Sequence, residues 1–167
     1  MTKYLLDTNI ILRASDPDSD QYSLVVDAVS KLLANEHECL LTPQVLREFW
    51  VVTTRPMDAN GFGWTPEQTK AEIDQLLSQF NLLPDNADIF TRWLELVTKY
   101  KIKGKRTHDI RLVAVMKSHS IEYLLTLNPK DFSRIEGINI KHPNDILGLG
   151  TYELLDSSDL EGDCIID

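Results

Sequence analysis

The chain is poor in the residues on which many enzyme classes depend. It has two cysteines and four histidines, and none of them are grouped. Cys39 and Cys164 form neither a CxxC pair nor a disulfide framework, which excludes a thiolate zinc site and predicts two free thiols. His37, His108, His119 and His142 have no nucleophile at a triad spacing, and neither an HExxH motif nor a phosphate-binding glycine loop occurs. Ser15 likewise lacks triad partners. No apolar run approaches the roughly 18 residues of a spanning helix, and Met1 to Lys3 lead into a strand rather than a signal peptide. The expectation is a soluble cytoplasmic protein with no membrane contact. No repeat or low-complexity segment divides the chain.

Basic residues are missing from one region. Residues 145–167 contain Asp145, Glu153, Asp156, Asp159, Glu161, Asp163 and Asp167 and no Lys or Arg. Seven of the nine net negative charges therefore lie in residues 145–167, and the rest of the chain is close to neutral. The overall acidity does not exclude a nucleic-acid partner for the body, which carries Lys99, Lys101, Lys103, Lys105 and Arg106 in one run. Such a run is ordinarily a solvated helix end, but this one leads into Asp109. We expect one domain over residues 1–148 and an acidic tail over 149–167. Tyr152, Leu154, Leu155, Leu160, Ile165 and Ile166 are interspersed in that tail, so it could dock on the basic groove as well as remain solvated.

With 167 residues and 43% apolar content, the chain can bury a core of its own. Lys3 to Leu6 reads as a buried strand ending at Asp7. Tyr22 to Leu33 has the apolar spacing of an amphipathic helix. Glu38 to Leu41 is a second strand, and Thr42-Pro43 opens a helix carrying Val45, Leu46, Glu48, Phe49, Trp50 and Val52. Arg55 to Trp64 is a loop. Thr65-Pro66 begins a helix with Gln68 in the capping-box position and Ala71, Ile73, Leu76, Leu77 and Phe80 on its inner face. Asn81 to Leu83 is a short strand, and Asp85 is expected to cap the helix through Ile89, Trp93, Leu94, Leu96 and Val97. A further helix starts at Thr107, Ile121 to Leu125 is a strand, and Ile138 to Ile140 is the last. Beyond Pro143 the pattern decays. Strands alternating with helices predict an α/β fold with a mostly parallel sheet covered on both faces.

In such a sheet the crevice outside the strand C-termini is where ligands bind. Asp7 ends the first strand there, although Asp or Thr at that junction also serves as an ordinary helix cap. The Asn128 region leaves the sheet at the same edge, and helices starting near it bring Glu48 and Asp109 close. An all-oxygen set of this kind suits a hard cation such as Mg²⁺, which can activate a nucleophile at phosphorus. Phe62 and Trp64 could stack on bases or simply tuck against the body. Phe49, Trp50 and Trp93 read as core, or as part of a dimer interface.

Four segments in order, Leu5-Leu6-Asp7-Thr8-Asn9, Glu48, Thr107 to Ala114 and Leu125 to Phe132, resemble the PIN-domain ribonucleases, in particular the VapC-like toxins of toxin–antitoxin pairs. The resemblance covers about residues 1–145, and the loop Arg55 to Gly61 is similar to one in a bacterial branch of that family. It implies a three-layer PIN-like fold, Mg²⁺- or Mn²⁺-dependent cleavage of RNA, a cognate antitoxin and a homodimer. It places Asp7, Glu48 and Asp109 in the acidic metal positions. Thr8, Asn9 and Thr126 then fall beside the substrate, with Lys103, Lys105 and Arg106 attracting its phosphates. One departure stands out. The fourth acidic position of many members is Asn128 here, which keeps a carbonyl oxygen but loses a charge; Asp131 is the alternative fourth ligand. A non-catalytic binding protein of the same fold is the rival reading. A phospho-accepting receiver domain fits less well, because paired acidic residues and a later strand-end lysine are missing.

Overall fold

The computed structural model describes residues 1–149. The acidic tail beyond Leu149, with Cys164, lies outside the described residues, so its expected docking does too. Five parallel strands form one sheet in the order β3-β2-β1-β4-β5: β1 (Lys3–Leu6), β2 (Glu38–Leu41), β3 (Asn81–Leu82), β4 (Tyr123–Leu125) and β5 (Asn139–Lys141). The helices are α1 (Thr8–Ala14), α2 (Tyr22–Ala34), α3 (Pro43–Thr54), α4 (Pro66–Gln79), α5 (Ala87–Lys99), α6 (Arg106–Ser118) and α7 (Pro143–Leu147).

The central strands are short apolar runs because both their faces are covered. Leu5, Leu6, Leu41, Leu124 and Leu125 are all buried. Fully burying one leucine contributes about 1.5–3 kcal/mol, so each of these positions helps to hold the sheet between its helices. The β1-α2-β2 connection moves one way along the sheet, whereas β3-α5-α6-β4 returns past β1. Right-handed crossovers in opposite directions carry their helices to opposite faces. The helix contacts divide accordingly, α1 meeting α2 and α3, α3 meeting α4, and α2 meeting α7, while α5 packs on α6.

Local chemistry sets most boundaries. The Thr42 hydroxyl accepts the Val45 N–H to cap α3, and Thr65 with Gln68 forms a complete capping box on α4. The loop after α3 folds back on that helix, with Phe62 N–H donating to Val52 O and Trp64 N–H to Thr53 O. Gly61 permits this approach, since a Cβ there would stand 1.9 Å from Arg55 O. Phe62 and Trp64 pack edge-on, and Trp64 also meets buried Phe49, so both tuck against the body.

Several expectations need correction. Asn86, not Asp85, caps α5, its Oδ1 accepting from Asp88 and Ile89 N–H, while Asp85 pairs with Arg111 and Arg47. Ala71 and Leu77 face outward, because β3 is too short and too near the sheet edge to cover the whole of α4. Trp50 is more than one-third exposed rather than core. Beyond Pro143 the chain forms the short α7, capped by the His142 ring and Asp145. A five-residue helix is too short to show a period.

Candidate active site

The site follows from the sheet order. The chain steps from β1 to β2 on one side and later returns to β4 on the other, so the crevice opens at the C-terminal ends of β1 and β4. Leu6 is in register with Leu125, and the next residues, Asp7 and Thr126, emerge side by side. Asp7 N–H donates to Leu125 O at 3.0 Å, and the Thr126 hydroxyl donates to Asp7 Oδ2 at 2.7 Å. Asp7 Oδ1 accepts the Thr8 N–H at 2.8 Å as the cap of α1. The cap reading of Asp7 therefore holds through Oδ1, while Oδ2 is held by the Thr126 hydroxyl at the strand ends.

Asn9 braces the same corner. Its Oδ1 accepts Leu127 N–H at 3.1 Å and its Nδ2 lies 3.3 Å from Thr126 Oγ1, joining α1 to the turn after β4. Glu48, on the second turn of α3, is reached from two sides, by the Thr8 hydroxyl at Oε2 (2.5 Å) and by Gln44 Nε2 at Oε1 (2.9 Å). Asp109 enters from the first turn of α6. Asp131 enters from the single 3-10 turn after β4, Pro129–Phe132.

Electrostatics shows that these carboxylates share one field. Burial pushes Asp7 up to about 6, opposed by the hydrogen bonds from Thr126 and Thr8 and reinforced by the charges of Glu48 and Asp131. Asp109 is pushed up to about 7, first by burial, then by the charges of Asp7, Asp131 and Glu48; Arg106 pulls the other way. Four acidic side chains from four segments thus repel one another beside buried strand ends. Such a set is all oxygen and short of positive charge, and its chemistry fits a hard divalent cation. Among the described residues no group of three or more His, Cys, Asp or Glu side chains is placed so that it could hold a metal ion.

The remaining expected residues divide. Asn128 is exposed and contributes its backbone N–H to Thr126 Oγ1 at 3.1 Å, whereas it is the Asp131 charge that acts on Asp7 and Asp109. Lys103 and Lys105 are exposed in the turn before α6. Arg106 is half-buried; its Nη2 donates to Asp131 O at 2.8 Å, and its buried Nε has no hydrogen-bond partner among the described residues. His108 is exposed, as a first-turn histidine would be. Gln44 is the residue that the sequence reading passed over. Its one signal is the i, i+4 spacing to Glu48, which puts the two on one helix face.

Residues 4–138 match the PIN domain family. No curated protein sequence matches the chain. Among solved structures, a chain of VapBC-1 from nontypeable Haemophilus influenzae is 23% identical with a TM-score of 0.64, covering 86% of this chain and 99% of that one. A chain of a toxin–antitoxin complex from Klebsiella pneumoniae is 26% identical with a TM-score of 0.57, covering 84% and 97%. VapC20 of Mycobacterium tuberculosis, a sarcin-ricin loop cleaving toxin, is 14% identical with a TM-score of 0.55, covering 90% and 98%. These likenesses are likenesses of fold.

Proposed function

The chain belongs to the PIN domain family, and on that premise we propose that it is a VapC-like toxin, an endoribonuclease dependent on Mg²⁺ or Mn²⁺. The observation that carries the reading is the convergence of Asp7, Glu48, Asp109 and Asp131 on one buried field at the β1–β4 crevice. Asp7, Glu48 and Asp109 would hold the cation, with Asp131 the fourth acidic group and Asn128 at the rim. When bound, the cation supplies a Lewis acid that lowers the pKa of water and offsets charge developing on a phosphodiester.

The protein's own part is to hold these oxygens in place and to guide the substrate. Thr8 and Thr126 fix the carboxylates of Glu48 and Asp7 through hydroxyl hydrogen bonds, and each carboxylate keeps further lone pairs for a cation. Lys103 and Lys105, exposed at the entrance to α6, draw in the phosphate backbone, and Arg106 lies between them and Asp109. The products are RNA ends with a 5′-phosphate and a 3′-hydroxyl.

A cognate antitoxin is the proposed partner, in line with the VapBC assemblies that share the fold. A homodimer is supported by the apolar ridge of α5, where Phe90 and Leu94 are exposed beside half-buried Trp93. No helix among the described residues is long and apolar enough to cross a membrane. The test is cleavage of single-stranded RNA by the purified chain with Mn²⁺ or with chelator. Metal-dependent cuts leaving 5′-phosphates are expected; metal-independent cuts, or binding without cleavage, would refute the reading.

A further inference from the structure

A carboxylate at the end of a flexible glutamate is useful to a cation only if its direction is fixed. Glu48 takes one of its two hydrogen bonds from Gln44, a 6% exposed residue one turn earlier on α3. The same Gln44 Nε2 donates to the carbonyl oxygen of His108 at 2.8 Å, immediately before Asp109 in α6. One amide nitrogen with two hydrogens therefore ties the Glu48 carboxylate on α3 to the backbone that carries Asp109.

An amide turned end for end would present an acceptor to both partners and break both bonds. Arg111 prevents the turn. Its Nη1 donates to Gln44 Oε1 at 3.1 Å, which only the carbonyl end can accept. Its Nη2 donates in turn to Asp85 Oδ1 at 3.2 Å, and the side chain is only 28% exposed. The guanidinium is thus kept one neutral amide away from Glu48. A direct Arg–Glu pair would compete with a cation for the carboxylate, whereas the amide transmits direction and leaves the charge in place.

We infer that Gln44 is a positioning residue of the acidic site, its amide locked by Arg111 and Asp85 so that it holds the Glu48 carboxylate in register with Asp109. The inference rests on the reading of Glu48 and Asp109 as metal ligands. It extends the site to three residues, Gln44, Arg111 and Asp85, that act through Glu48.

The test is Mn²⁺ titration by calorimetry on wild type, Gln44→Met, Glu48→Gln and the double variant, with Mn²⁺-dependent RNA cleavage measured alongside. Gln44→Met keeps the volume but removes the donors and the acceptor. It should weaken Mn²⁺ binding about tenfold and raise the Mn²⁺ needed for half-maximal cleavage by the same factor. In the Glu48→Gln background it should change Mn²⁺ affinity no further, because it acts through Glu48. Unchanged affinity in the single variant, or full additivity in the double, would reduce Gln44 to a packing residue and overturn the inference. Should Gln44→Met fail to fold, Arg111→Met serves the same test: it should weaken Mn²⁺ binding in the same direction, with partial recovery in Arg111→Lys, and wild-type affinity in Arg111→Met would refute the lock. If Glu48→Gln alone leaves Mn²⁺ affinity intact, the metal-ligand reading has failed, and the positioning role falls with it.

Discussion

At the residue scale, Asp7 and Asp109 show what the site costs the fold. Both bind protons more tightly in the folded protein than at the ordinary aspartate value of 3.8, Asp7 near 6 and Asp109 near 7. The unfolded chain therefore holds fewer protons between those values, and the free energy of unfolding falls as pH rises. Their contribution to stability is complete below about pH 4 and is lost progressively through about 6 and 7. Without divalent metal, the melting temperature should drop across that window, and added Mn²⁺ should restore it most strongly at the alkaline end. Asp109→Asn removes the charge where it is least compensated. It should raise the stability of the metal-free protein at pH 8 by roughly 1–3 kcal/mol while abolishing cleavage. Thermal unfolding with chelator checks the first half, and a less stable variant would contradict it. The proximity of the three carboxylates was legible in the sequence because Asp7 follows a strand, Asp109 lies in the first turn of a helix and Glu48 lies within two turns of the start of another. Gln44 was not, since a glutamine on an amphipathic helix reads as surface until the partners that bury it are known.

At the scale of elements, the turn after β4 places the Asp131 charge where it acts on Asp7 and Asp109. The family resemblance puts the fourth acidic position at Asn128, two residues after Thr126. The strand stops at Leu125, and the 3-10 turn Pro129–Phe132 swings Asp131 back toward the crevice while Phe132 anchors in the core. That reversal is a property of Pro129 and the buried phenylalanine together, and no periodicity announces it. Asp131→Asn should therefore weaken Mn²⁺ binding about tenfold, whereas Asn128→Ala should change it by less than about threefold. Asn128→Asp should tighten binding at low Mg²⁺, since another anion at the rim still offsets cation dehydration. Metal titrations of the three variants separate the positions; equal losses in Asp131→Asn and Asn128→Ala would return the role to Asn128. Capped helices and buried strands were read from sequence with their signals intact, as at Thr42, Thr65 and Leu5 to Leu6. The start of α5 slipped by one residue because Asp85 and Asn86 are both good caps and only tertiary pairing of Asp85 with Arg111 chooses between them.

At the scale of the whole molecule, charge is divided between a nearly neutral body with an acidic pocket and a basic approach, and an acidic tail outside the described residues. A polyanionic segment and an RNA backbone have the same attraction to Lys103 and Lys105. Deleting residues 149–167 should strengthen RNA binding at about 50 mM salt, with the gain shrinking by about 200 mM as both contacts are screened. Equal affinities at low salt would leave the tail without a part in controlling the site. The parallel order β3-β2-β1-β4-β5 makes one statement about function, because it is the step from β1 to β4 that brings Asp7 and Thr126 together. The most direct measurement of that statement is RNA cleavage by Asp7→Asn beside wild type across an Mn²⁺ titration, with circular dichroism showing the same fold. The account predicts cleavage by wild type that rises with Mn²⁺ and vanishes with chelator, and a loss of at least about a hundredfold in the variant at every Mn²⁺ concentration. Undiminished cleavage by Asp7→Asn would contradict it.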